Sequence, residues 1–146
     1  MAIADTNSII RAYLITCGTL TALLATVDSI YCPCLPENAG LPAVSFLTRG
    51  GTSTPYIPGI PSPSVEFDCW ADNLIDAREV YRALYDNLQG NQNQIVAYPF
   101  PLVFPIIWSH SIMSAIEDSR GADLVDIEIP NRFRKRTSFT FMLRAE

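Results

Sequence analysis

The 146 residues include one histidine and one lysine, and no apolar run long enough to span a bilayer. Each shortage closes off a class of function. The lone imidazole, His110, falls on the apolar parity of an alternating segment. A histidine in that setting is more often a packed side chain than a general base. With Lys135 the sole lysine, the other nine basic residues are arginines. Arginine favours fixed, planar contacts with carboxylates, and such a bias points to contacts between proteins. The net charge of −5 argues against a nucleic-acid binder, which needs an excess of cations to neutralise phosphates. The stretch most like a membrane segment is Ala12–Val27, sixteen residues without a charge. It falls short of the roughly 20 apolar residues of a membrane span. Four threonines and Gly18 dilute it, and neither a basic leader nor a small-residue cleavage site precedes or follows it. It reads as a buried first helix capped by Asp5 or Thr6, with no membrane role.

Reactive chemistry is equally thin. The cysteines are Cys17, Cys32, Cys34 and Cys69. The Cys32-Pro33-Cys34 triplet lacks the two-to-four-residue gap and the second pair that zinc sites use. Reduced thiols in a protein assembled in a cytosol are expected. No phosphate-binding loop, nucleophile elbow or GxGxxG occurs. Asp118 and Asp123 lack the alternating oxygen ligands and turn glycine of a calcium loop. Glu66 and Asp68, side by side on one strand face, read as solvated or salt-bridged carboxylates. The chain is therefore expected to be no enzyme and to hold no cofactor or metal.

What is present is architecture. An apolar fraction of 49% against 17% charged residues, over this length, predicts one folded domain with a sizeable core. A helix over 6–26 is followed by a short strand at Ile30 and Tyr31. The turn-rich stretch 33–40 comes next, then a strand over 43–48 ended by Gly50-Gly51. Residues 51–63 carry prolines at 55, 58, 61 and 63. Such a run is excluded from a central sheet and predicts an extended arm, with Tyr56, Ile57 and Ile60 as docking side chains. From 65 to 70, Val65, Phe67 and Cys69 share one strand face, and Glu66, Asp68 and Trp70 the other. A helix then starts at a cap on Asp72 or Asn73 and buries Leu74, Ala77, Tyr81, Leu84 and Leu88. It stops at Gly90.

Prolines 99, 101 and 105 make residues 94–105 an edge or irregular segment. A strand over 106–117 places Ile106, Trp108, His110, Ile112 and Ile116 on one face. A final strand over 133–144 places Phe133, Phe139, Phe141 and Leu143 on one face and Arg132, Arg134 and Arg136 on the other. The two are expected to pair across a connection at 118–131. Charge is segregated there. Glu117, Asp118, Asp123, Asp126 and Glu128 face only Arg120, whereas Arg132, Arg134, Lys135, Arg136 and Arg144 follow without an acid. One chain can neutralise this across its own hairpin. A ring can instead pair one copy's acids with Arg132, Arg134, Lys135 and Arg136 of the next.

The order of these segments resembles the tail-completion, or tail-terminator, proteins of long-tailed bacteriophages. The likeness rests on the apolar first helix, the short Ile-Tyr strand, LPAVSFLTRGG, and above all Val65–Ala71 followed by the helix segment Asp76-Ala77-Arg78. It is clearest over residues 8–90 and departs at the proline-rich loop 55–63 and at 94–105. The resemblance implies an α+β domain, a mostly antiparallel sheet packed by two main helices, with a Pro-rich loop and a C-terminal β-hairpin. It implies a virion protein of the tail or neck, assembled in the host cytoplasm as a homohexameric ring. Such a ring caps the tail tube, stops addition of tube protein and meets the head connector, with genomic DNA passing through its lumen. Two alternatives stand beside it. One is another neck ring, a head-completion or stopper protein using the 51–63 arm as a plug. The other is a small ligand-binding or enzymatic domain with a pocket around Trp108, His110 and Glu117.

Overall fold

The computed structural model describes residues 5–52, 60–99, 107–125 and 132–145. Alternating apolar residues place most of them in six strands. In chain order the elements are α1 (Thr6–Thr16), α2 (Gly18–Thr21), β1 (Ile30–Tyr31), β2 (Ala43–Thr52) and β3 (Ser62–Ala71). They continue with α3 (Leu74–Leu88), β4 (Gln92–Pro99), β5 (Ile107–Val125) and β6 (Phe133–Ala145). The strands form one sheet in the order β1-β2-β3-β6-β5-β4. Only the β1–β2 pair is parallel; every other neighbouring pair is antiparallel. The architecture is α+β, a mostly antiparallel mixed sheet with three helices.

The strand alternation turns one face of the sheet into the core. Val44, Phe46, Val65, Phe67, Cys69, Phe139, Phe141 and Leu143 are buried there together. Phe67 is the centre, with its ring 5.7 Å from Phe46, 5.8 Å from Phe139 and 6.2 Å from Phe141. The helices cover this face. α1 contributes Ile9, Ile10 and Leu14, and α3 contributes Ala77, Val80, Leu84 and Leu88. The expected α3 stripe is thus shifted slightly: Val80 is buried, while Leu74 and Tyr81 are half-buried. Asn73 caps the helix, its Oδ1 accepting the Asp76 N–H at 2.8 Å. Gly90 leaves it with φ 75°.

Three expectations are corrected. The single helix over 6–26 is two helices, which makes three among the described residues. Cys17 adopts an extended conformation (φ −78°, ψ 90°) and donates to Leu14 O in a tight turn. Thr16 and Thr21 hydroxyls bond to backbone carbonyls of Tyr13 and Cys17, the competition that makes threonine a poor helix interior residue. Among the described residues no helix is long and apolar enough to cross a membrane.

The proline-rich run does enter the sheet at both ends. β2 continues through a bulge to Thr52, and Gly51 pairs with Pro63 in β3, a central strand. Pro63 is tolerated because the β3–β6 ladder begins one residue later, at Ser64↔Thr140. Tyr56 and Ile57 lie outside the described residues; Ile60 is half-buried.

β5 does not stop at 117. It runs for 19 residues and takes in most of the expected connection. Register shifts after Ile112, Glu117 and Ser119 each reset the alternation. Ile112 is therefore buried while Ile116, expected on the same face, is 54% exposed. β4, which ends at Pro99, is an edge strand among the described residues, and the rest of the expected edge or irregular segment, 100–105, lies outside them.

Candidate interaction surfaces

The face of the sheet away from the helices carries side chains fixed by register. Asp68 stands opposite Ser45 on β2 and Arg136 on β6, and Trp70 stands opposite Arg134. These cross-strand neighbours form a continuous polar strip. Arg49 Nε lies 3.1 Å from Glu66, and Arg136 Nε lies 3.1 Å from Glu66 and 3.0 Å from Asp68. The Glu66 and Asp68 side chains are only 11% and 13% exposed. The hydrogen bond to Asp68 holds the Arg136 guanidinium charged even more firmly than usual. The carboxylates expected to be solvated or paired are paired.

Arg134 closes the strip differently. Its guanidinium stacks over Trp70 at 5.2 Å from the ring centroid, a cation–π contact. Trp70, expected on an exposed face, is buried beneath it and donates its indole N–H to Ser45 Oγ at 2.9 Å. The nearest carboxylate of Asp68 is 3.8 Å away, and the buried Arg134 Nε has no hydrogen-bond partner.

On the helix-covered side a second cluster ties β5 to α3. Asp123 accepts from Arg78 at 2.8 Å and from Lys135 at 3.2 Å, which together lower its pKa. Lys135 Nζ also lies 5.1 Å over the Tyr81 ring. Tyr81 donates its hydroxyl to Glu117 at 2.7 Å. Burial, then this hydrogen bond, pushes the Tyr81 pKa up to about 12. Beside this cluster an open cleft of about 570 Å³ is lined by Tyr81, Arg82, Tyr85, Asp86, Glu117 and Arg120. A neighbouring groove of about 550 Å³ runs between α2 and α3 past Leu23, Glu79 and Asp86.

No protein-family model matches the chain, and no curated protein matches it.

The residues singled out from sequence are distributed over both sides. Lys135 and Asp123 meet as anticipated for a hairpin. Arg134 and Arg136 turn instead to Asp68 and Glu66 on β3. Arg132 donates to the Glu37 carbonyl at 2.6 Å, and Asp118 accepts from the Thr140 hydroxyl. Asp126 and Glu128, like the side chains of Trp108 and His110, lie outside the described residues. Trp70, Arg49, Arg78 and Tyr81 were not singled out, although they complete both clusters.

The thiols are placed without reactive partners. Cys17 and Cys69 are buried, and burial raises both pKa values, which keeps them protonated. Cys32 and Cys34 are exposed and free, and burial of the Cys32 sulfur followed by nearby Asp5 raises its pKa too. Among the described residues no three metal-binding side chains gather.

Proposed function

We propose that this chain is a structural virion protein of the tail-terminator type. Copies close into a ring, expected to be hexameric, that caps the tail tube, stops addition of tube protein and joins the head connector. The observation that carries the reading is the bare sheet face. Among the described residues helices cover one face of the sheet only, and Ile95, Ile116 and Met142 are exposed on the strands β4, β5 and β6. A surface mixing exposed apolar groups with ordered arginines is suited to a protein partner. The order of elements that carries the resemblance, with β3 leading directly into α3, supports the same reading. In it, the Pro-rich connection between β2 and β3 contacts a neighbour or the tube. The β5–β6 pair is a C-terminal hairpin whose charged residues border the subunit contact.

The test is tube length. Tube protein polymerised with this chain is expected to give short tubes with a ring at an end, seen by negative-stain electron microscopy. Tubes of unchanged length with bare ends would sink the terminator role. A ligand-binding reading has one observation of its own, the 570 Å³ cleft that includes Glu117. A small-molecule thermal-shift screen in which Glu117→Gln abolishes a hit would favour that reading over the ring.

A further inference from the structure

The two outer faces of the domain differ in charge, and each exposes apolar side chains. On the sheet side stand Arg49, Arg134, Arg136 and Arg144, against Glu66, Asp68 and Asp118. The outer face of α3 carries Asp76, Glu79 and Asp86, with Arg78 and Arg82 already paired to Asp123 and Glu79. Two adjoining grooves between α2 and α3, about 550 and 270 Å³, share Leu23 and Glu79. Asp86 borders the larger and Asp76 the smaller. Leu23, just after α2, is 40% exposed there, and Ile75 on α3 is 72% exposed.

One group on the sheet side is only partly paired. Arg134 is held in place by Trp70, touches Asp68 only at 3.8 Å, and buries an Nε–H that nothing accepts. A guanidinium immobilised on an aromatic ring has already lost its rotamer freedom, so pairing with an incoming carboxylate costs little further entropy. Buried polar atoms are nearly always paired and this Nε–H is not, while the rest of the Arg134 side chain is 28% exposed and within reach of a partner.

From these observations we infer that neighbouring copies pack face to back. The bare sheet face of one copy seats on the α2–α3 grooves of the next, and Arg134 bonds to an acid of α3, Glu79 or Asp86. The inference rests on the ring reading and adds which surfaces meet. Sheet face and helix face are different patches, so the contact is heterologous and propagates head to tail until it closes. The partner acids are placed on α3, where the Glu79–Arg82 pair is exposed and readily exchanged, whereas Asp123 is held by both Arg78 and Lys135.

A charge-swap experiment tests this. Arg134→Glu alone, and Glu79→Arg with Asp86→Arg, are each expected to raise the concentration needed for assembly about tenfold or more. The chain carrying all three changes is expected to assemble again, because each copy then meets a complementary neighbour. So is an equimolar mixture of the two parents, as rings of alternating copies. Circular dichroism melts check folding. The α3 pair sits on an exposed helix surface, so its effect is readable even if Arg134→Glu destabilises the sheet, and Arg134→Gln is the milder substitute. Unimpaired assembly of either parent, or no recovery in the triple variant, overturns the inference while the ring reading stands. Intact rings of Arg134→Glu that no longer hold tube ends would assign the sheet face to tube protein and also overturn it. If the unmodified chain forms no ring, alone or on tubes, the ring reading falls and takes this inference with it.

Discussion

Replacing Arg136 by methionine keeps most of the side-chain stem and removes the charge shared by Glu66 and Asp68. Those two carboxylates are i and i+2 on one strand face, so they repel each other once the cation between them is gone. An exposed ion pair contributes about 0.2–1 kcal/mol. Breaking a buried one costs about 3–5 kcal/mol, because a desolvated charge is left behind. Here the acids are 11% and 13% exposed and the arginine 36%, which places this pair between the two limits. A loss of about 2 kcal/mol is expected for Arg136→Met, less than the full buried value because water still reaches the guanidinium. Urea denaturation followed by circular dichroism reads it as a lower midpoint at constant slope. A cycle with Asp68→Asn isolates the pair itself, with a coupling of about 1 kcal/mol expected. A loss below about 0.5 kcal/mol and no coupling would refute the reasoning: the strip would then be a solvated surface, contributing nothing to the fold.

Other positions give independent checks. Phe67→Ala should cost about 4 kcal/mol, since the side chain is fully buried against three other phenylalanine rings; Phe67→Leu should cost about 1–1.5 kcal/mol. Equal, small losses for both would mean the sheet–helix layer is not the core. Gly51→Ala should cost more than about 2 kcal/mol, because φ is 133° and the new Cβ would lie 2.3 Å from Ser62 O. A neutral result in the same denaturation assay would rule out the β2–β3 register near Pro63. At high pH, Tyr13 and Tyr81, both with pKa values raised to about 12, first by burial, hold their protons more tightly folded than unfolded. Their contribution to stability is complete below pH 10 and is lost as the pH rises from 10 to about 12. Tyrosinate absorbance should therefore show a late phase that loses one equivalent in Tyr81→Phe, and a single phase near pH 10 would contradict the environment described for that ring.

Much of the layer architecture is legible in local pattern. The alternation of Val65, Phe67 and Cys69 fixes which face of β3 is core, and the spacing through Ala77, Leu84 and Leu88 fixes how α3 lies on it. What is not legible has physical causes. Cys17 breaks the first helix by backbone turns that hydrophobic spacing does not record. The three shifts of register in β5 scramble its period, so a 19-residue strand reads as a shorter one followed by a loop. Within the chain Arg134 and Arg136 meet acids of β3, where sequence proximity points only to the acids across the hairpin. Their true neighbours, Asp68 and Trp70, are set by the β3–β6 pairing, which joins residues more than sixty positions apart. Alternation does put Glu66, Asp68 and Trp70 on one face and Arg134 and Arg136 on one face; only the topology says that the two faces are the same.

The most direct measurement of the central claim is absolute mass in solution by light scattering, for the chain alone and on polymerised tube protein. The account predicts a closed ring, about 97 kDa for six copies of 16.2 kDa, either free or formed at tube ends. A chain that stays at 16.2 kDa at every concentration and ignores the tube would contradict it.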